Sequence, residues 1–328
     1  MSQNPKTVSP VVVAFRLFAW GTLTTLATFL INNYLNFWRE WPGATSALDG
    51  GGDGRAWVQV AIYGAGIAAA AAIVRRRRQF SLRQDHELMT AMSAYVVRAA
   101  FFAVVLVGLA DTVLSFLRVE GLLEGIFGRQ MANEIGINRF RAPWVHLPLI
   151  VVSLAIAALV RRTLGFTWLA LLVVVAEMLI VISRFIFSYE QAFMGDLVRF
   201  WYAALFLFAS AYTLHEEGHV RVDVLYTNFS ERTKGISNAV GTLLLGISLC
   251  WVVLYFGMAT KSSVINGPVI SLEVTQQGFG MYVKYLMAGF LAVYAVSMMI
   301  QFCGYLLESV ADARGEPGKR VMASAGAH

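Results

Sequence analysis

Eight apolar runs, separated by polar segments in which arginine is bunched, leave this chain of 328 residues few folds to adopt. They are Val11–Ile31, Trp57–Val74, Ser93–Leu117, Leu147–Val160, Gly165–Phe187, Leu197–Leu214, Ile236–Thr260 and Lys284–Leu307. A helix needs about 20 mostly apolar residues to cross a bilayer core. Within hydrocarbon, backbone N–H and C=O groups must be satisfied inside the segment itself, which a helix does. With 58% hydrophobic and 14% charged residues, the chain has too little charged surface for a soluble protein of its length. The expected fold is all-α: a polytopic membrane helix bundle of about eight transmembrane helices.

Positive charge orients such a bundle. With the N-terminus in the cytoplasm, fourteen lysines and arginines fall on inner segments and ten on outer ones, while Arg16 and Arg98 lie within helices. The tight clusters Arg75–Arg78 and Arg161-Arg162 both land inside, so both termini are expected to be cytoplasmic. Arg16 lies near enough to the start of its helix to snorkel. Tyr34, Phe37, Trp38 and Trp41 follow the first run, as aromatics do at a membrane interface. The long outer segment Arg118–His146 has the apolar pattern of a helix lying along the membrane surface. Such arginine bunching reads as a topology signal and not as a nucleic-acid face. Cys250 and Cys303 both lie in apolar runs and read as packing residues.

No repeat relates the two halves. The character of the chain changes near Gly165, where spans lengthen and loops become more patterned. A division follows: an extension of four helices over 1–163, a second four-helix region over 164–310, and a polar, disordered cytoplasmic tail over 311–328.

Two functions can be read from the segment after the sixth run. His215, Glu216 and His219 spell H-E-x-x-H, which on one helix puts two zinc-ligating imidazoles on a face with a glutamate to polarise the bound water. Gly218 inside the motif and the β-branched Val220, Val222 and Val224 after it favour a helix end at this point. No motif for a third ligand follows. A membrane-embedded zinc metalloprotease is therefore the alternative, and no enzymatic activity, metal or cofactor is expected. Haem held between facing helices is disfavoured because His86, His146, His215, His219 and His328 all fall in expected loops or helix ends.

The other reading begins with three stretches. Ser183-Arg184-Phe185-Ile186-Phe187-Ser188, Asp196-Leu197-Val198-Arg199-Phe200 and Gly218-His219-Val220-Arg221-Val222-Asp223-Val224-Leu225 occur in this order. They resemble the outer end of the first helix, the opening of the second helix and the cytoplasmic loop of the DctQ-like small permease of tripartite ATP-independent periplasmic (TRAP) transporters. Glu273, a loop and Lys284 resemble the family's third connection. Glu217 stands where the family's loop has its first glycine, and Asp196 where it has glutamate. The likeness covers about Gly165 to Val310 and leaves the first four spans without a counterpart. It implies a scaffold subunit in the inner membrane of a Gram-negative bacterium. Its partners would be a large DctM-like permease and a periplasmic solute-binding protein, with membrane lipid around it. The permease would move a carboxylate-bearing solute with sodium coupling.

Several residues are candidates within that frame. Gly218, His219, Arg221 and Asp223 form the patterned cytoplasmic loop, where Arg221 and Asp223 either contact the partner's loops or pair and cap the next helix. Glu177 lies near the middle of its span, and a carboxylate there is costly unless paired, neutral or in a polar cavity. It is expected either inside the bundle, protonated or hydrogen-bonded, or against the partner permease. Asp111 in the third span invites the same argument, and Arg98 is about 20 Å away along the helix, too far to pair. Arg184, Glu190, Asp196 and Arg199 form an expected outer ion-pair cluster, with Glu273 and Lys284 on the same side.

Overall fold

In a computed structural model, the described residues are 9–48, 53–160, 166–215, 226–274 and 279–318. Among them, eight helices are long and apolar enough to cross a membrane. They are Pro10–Trp38, Gly54–Arg76, Leu82–Val119, Asn138–Leu159, Thr167–Phe187, Ala192–Leu214, Glu231–Met258 and Lys284–Ala313. These are called the first to eighth spans below. No strand occurs among the described residues, so the chain is an all-α, multi-pass membrane protein.

The ends of several spans lie outside the apolar runs. The third begins at Leu82, eleven residues before the run, and carries Arg83, Asp85 and His86 in its first turns. The fourth begins at Asn138 and takes in Arg141 and His146. Pro143, which lacks an N–H and crowds the preceding turn, coincides with a wide π turn over Ala142–His146. The stretch expected to lie as one surface helix is instead broken into Leu123–Phe127 and Arg129–Ile135, with Gly128 between them at φ 76°. A residue with a Cβ would be strained there. The eighth span runs on to Ala313, past the start of the expected tail, and Arg314–Gly318 is also ordered. Residues 319–328 lie outside the described residues.

The chain divides into two compact units, each drawing on segments from both sides of residue 163. One comprises Met1–Ala91, His219–Leu249 and Met299–His328. In it the first and third spans are tied by charge. Arg16 is 1% exposed and donates through Nε to Asp85 Oδ2 at 2.5 Å and through Nη2 to the Phe80 carbonyl at 2.7 Å. It is therefore buried and paired, contrary to the expectation that it snorkels. Arg77 bonds the other Asp85 oxygen and lies over the Phe80 ring at 4.6 Å. Arg83 donates to Asp312 Oδ1 at 2.7 Å and to the carbonyls of Glu316 and Pro317 at 2.9 and 3.1 Å. Those bonds order the residues just after the last helix.

In the same unit the last two spans approach each other closely at Gly235. A Cβ on Gly235 would sit 2.5 Å from Ala313 N and 2.7 Å from Ser309 O. Both are backbone atoms, so neither can turn aside, and small residues serve this role where membrane helices touch. Gly235→Ala is expected to force the helices apart and destabilise the protein by about 1–3 kcal/mol, the usual range for overpacking. Thermal unfolding in detergent would check it, with Gly241→Ala, whose Cβ meets nothing within 4 Å, as the control.

The second unit comprises Met92–Gly218 and Cys250–Met298. Its apolar core joins Phe101, Val104 and Val107 of the third span to Phe200, Trp201 and Phe208 of the sixth and Phe290 of the eighth. Gly108 admits the Trp201 indole, whose Nε1 would lie 2.6 Å from a Cβ there. That nitrogen donates instead to the Val104 carbonyl at 3.3 Å. Such burial of aromatic rings fixes the backbone on which the polar groups described next are mounted.

Candidate functional site

Asp111 is fully buried in the third span and accepts from three directions. Arg141 Nη1 donates to its Oδ1 at 2.8 Å, His146 Nε2 lies 3.1 Å from the same oxygen, and the Tyr282 backbone N–H donates to Oδ2 at 2.7 Å. Arg141 and His146 are both 0% exposed. The π turn between them sets both side chains toward Asp111. With its proton on Nε2, the His146 ring donates to Asp111 and accepts through Nδ1 from the Tyr285 hydroxyl at 2.9 Å, so a neutral imidazole is satisfied on both nitrogens. Arg141 donates further to the Ile135 carbonyl at 2.6 Å and to Ser115 Oγ at 3.2 Å. The Tyr282 ring lies 4.5 Å from the guanidinium carbons of both Arg118 and Arg141.

Asp196 completes this arrangement from the sixth span. Its Oδ2 accepts from Met281 N–H at 3.0 Å, so two carboxylates hold consecutive amides ahead of the eighth span. These bonds fix the segment that leads into the eighth span, whose first residue is Lys284. Buried polar groups that are mutually satisfied fix one geometry, because any alternative leaves a charge without a partner. Sequence reasoning singled out Asp111 and Asp196 but missed Arg141, His146, Tyr282 and Tyr285. The available signal was Arg141 and His146 flanking Pro143 at the edge of an apolar run.

The outer charged residues separate into pairs. Arg184 Nε lies 3.3 Å from Glu190, Arg199 lies 3.3 Å from Asp196, and Lys284 Nζ lies 2.5 Å from Glu273. The first and third pairs are exposed and each contributes little to stability. In the hairpin between the fifth and sixth spans, Tyr189 donates to Glu120 Oε1 at 2.6 Å. Burial and the Glu120 carboxylate push the Tyr189 phenol up to about 12, above the ordinary 10.0. The folded value is the higher one. The contribution is therefore complete below the ordinary tyrosine value and is lost only as pH rises through about 12.

Glu177 is not turned into the bundle. It is exposed on the fifth span and makes no hydrogen bond or ion pair with a described residue. It lines a groove of about 380 Å³ with Ile180, Glu190, Gln191, Gly195 and Arg199 among its other walls.

The patterned loop, with Gly218, His219, Arg221 and Asp223, lies outside the described residues, as do Glu216 and the rest of the H-E-x-x-H motif after His215. Among the described residues, no group of three His, Cys, Asp or Glu side chains is placed to hold a metal.

Residues 171–311 match the family described as Tripartite ATP-independent periplasmic transporters, DctQ component. Neither the curated proteins nor the solved structures gave a match. The matched segment begins in the fifth span and ends in the eighth, so it takes in Glu177, Asp196, Glu273 and Lys284 but not Asp111, Arg141 or His146.

Proposed function

Since residues 171–311 belong to the DctQ component of tripartite ATP-independent periplasmic transporters, making the chain a small membrane subunit of that transporter class, we propose the following role for it. It holds a large permease in the inner membrane of a Gram-negative bacterium, with both of its termini cytoplasmic. The permease moves a carboxylate-bearing solute with sodium coupling, and a periplasmic binding protein delivers that solute. The family match, coinciding with the last four spans, is the observation that carries this reading. A scaffold of this kind needs no enzymatic site of its own.

Within that role, the chain falls into an extension over 1–163, the family region over 164–310 and a short tail. The extension buttresses the family region: Asp111 and Arg141 of the former engage the Tyr282 N–H and ring of the latter, and His146 of the former engages the Tyr285 hydroxyl. The loop bearing Gly218, His219, Arg221 and Asp223 meets the partner's cytoplasmic side. The outer pairs Arg184–Glu190, Arg199–Asp196 and Lys284–Glu273 face the binding protein.

Capture of the tagged full chain in mild detergent, with mass spectrometry and metal analysis on one sample, tests this. Recovery of the large permease without stoichiometric zinc is the expected result. The double variant Arg221→Ala/Asp223→Ala is expected to recover several-fold less permease and to lower solute uptake in parallel. Stoichiometric zinc with no permease would overturn the reading in favour of a metalloprotease using His215, Glu216 and His219.

A further inference from the structure

The fifth span, Thr167–Phe187, is the least buried of the eight, with 11% of its most apolar window covered by the protein. For most of its side chains this demands nothing, because lipid is as apolar as Val174 or Val181, which are 62% and 51% exposed. Glu177 is different. It lies ten residues from either end of the span, about 15 Å along the helix from each, which puts its carboxylate near the middle of a bilayer core about 30 Å thick. An ionisable group at that depth faces a partner or a polar cavity far more readily than hydrocarbon.

The neighbouring charges are already engaged. Glu190 is paired with Arg184, and Arg199 with Asp196, which leaves Glu177 as the carboxylate in this groove without a counter-charge among the described residues. The groove is also accessible to a second chain. Gly195 forms part of its wall, and a Cβ placed there would meet nothing within 4 Å. The hairpin thus offers a groove between two helices that reaches a carboxylate with no ion-pair partner among the described residues.

From this we propose that the exposed face of the fifth span, centred on Glu177, is the docking surface for a transmembrane helix of the large permease, which places a lysine or arginine side chain in the groove against the Glu177 carboxylate. The occupant is identified by complementarity: its helix covers the apolar flanks at Val174 and Val181, and its cation supplies the missing charge. This rests on the scaffold role above and assigns the face that performs it.

The test co-expresses the tagged full chain with its large permease and compares wild type, Glu177→Gln and Glu177→Lys by mild-detergent capture. Glu177→Lys is expected to lower permease recovery at least tenfold, and Glu177→Gln by about two- to fivefold, since the amide keeps shape but not charge. A photo-crosslinking residue at position 174 or 181 of the otherwise unchanged chain is expected to trap the permease, whereas one at Ile67, which is 68% exposed on the second span, is not. The crosslinks do not depend on the charge variants folding. Equal recovery of all three chains, or crosslinks from 174 and 181 only to lipid or to a second copy of this chain, would overturn the proposal while leaving the scaffold role standing. Failure of the wild-type chain to recover the permease would overturn both.

Discussion

Asp111→Ala is expected to lower stability by about 3–5 kcal/mol, the range for removing one partner of a buried ion pair. The cost arises less from the lost attraction than from what is left behind. Arg141, at 0% exposure, would retain its charge with the Ile135 and Leu114 carbonyls, Ser115 and the Tyr282 ring but no carboxylate beside it, and Tyr282 N–H would lose its acceptor. A buried donor without an acceptor adds about 1–3 kcal/mol. Removing the charge from both sides discriminates this account from simple loss of packing. Asp111→Ala/Arg141→Met is expected to be more stable than Asp111→Ala alone, because replacing a whole buried pair by apolar groups is often neutral. Thermal unfolding of the purified full chain in detergent measures all three. An Asp111→Ala protein within about 0.5 kcal/mol of wild type, the size of an ordinary surface effect, would show the network to be dispensable.

Asp85→Ala should be comparably damaging, through two arginines of different character. Arg16 is 1% exposed, whereas Arg77 is 19% exposed. Once Asp85 is gone, Arg77 can turn toward water, but Arg16 keeps only the Phe80 carbonyl. The expected loss is again about 3–5 kcal/mol, carried mainly by Arg16. Arg77→Ala should cost only about 1 kcal/mol: Asp85 keeps Arg16, and what disappears is a partly exposed pair and a cation–π contact with Phe80. The ranking of Asp85→Ala and Arg77→Ala, read from the same unfolding measurement, is the decisive outcome. Equal effects would mean that burial of Arg16 does not set the energetics of this end of the protein.

Both predictions concern residues whose partners are far away in sequence, and that separation explains what sequence reading missed. Asp111 was recognisable as a buried-charge problem from its place in an apolar run, but its solution lies 30 and 35 residues on, at Arg141 and His146. Read locally, those two belong to a basic outer loop. Likewise Arg16 sits near a helix start and reads as a snorkelling side chain until Asp85, 69 residues later, is brought beside it. The third span was cut short at Ser93 because Arg83, Asp85 and His86 read as loop. They are helical because Asp312, Arg16 and Glu308 satisfy them. Polar residues end an apolar run, but they do not end a helix when the fold supplies their partners.

Glu177 shows the same limit from the other side. Its depth follows from counting along the run, but whether it faces the bundle depends on helix rotation, which a span this uniformly apolar does not reveal. The outer residues Arg184, Glu190, Asp196 and Arg199 were grouped by position alone, whereas the fold sets them in separate pairs and adds Met281 N–H as a donor to Asp196.

What the sequence determined by itself is what local physics can decide. A backbone in hydrocarbon must satisfy its own hydrogen bonds within about 20 apolar residues, so length and hydropathy alone give eight spans. The short motifs of the family region were legible because they are contiguous, and the family match at 171–311 lies where they predict. Tertiary structure alone decided where helices end, which arginines are buried, which carboxylates hold the amides ahead of the eighth span and which face of the fifth carries Glu177 outward. Each of those depends on a counter-charge or a surface contributed by residues distant in the chain, and pair energies of that kind leave no mark on the pattern of either partner.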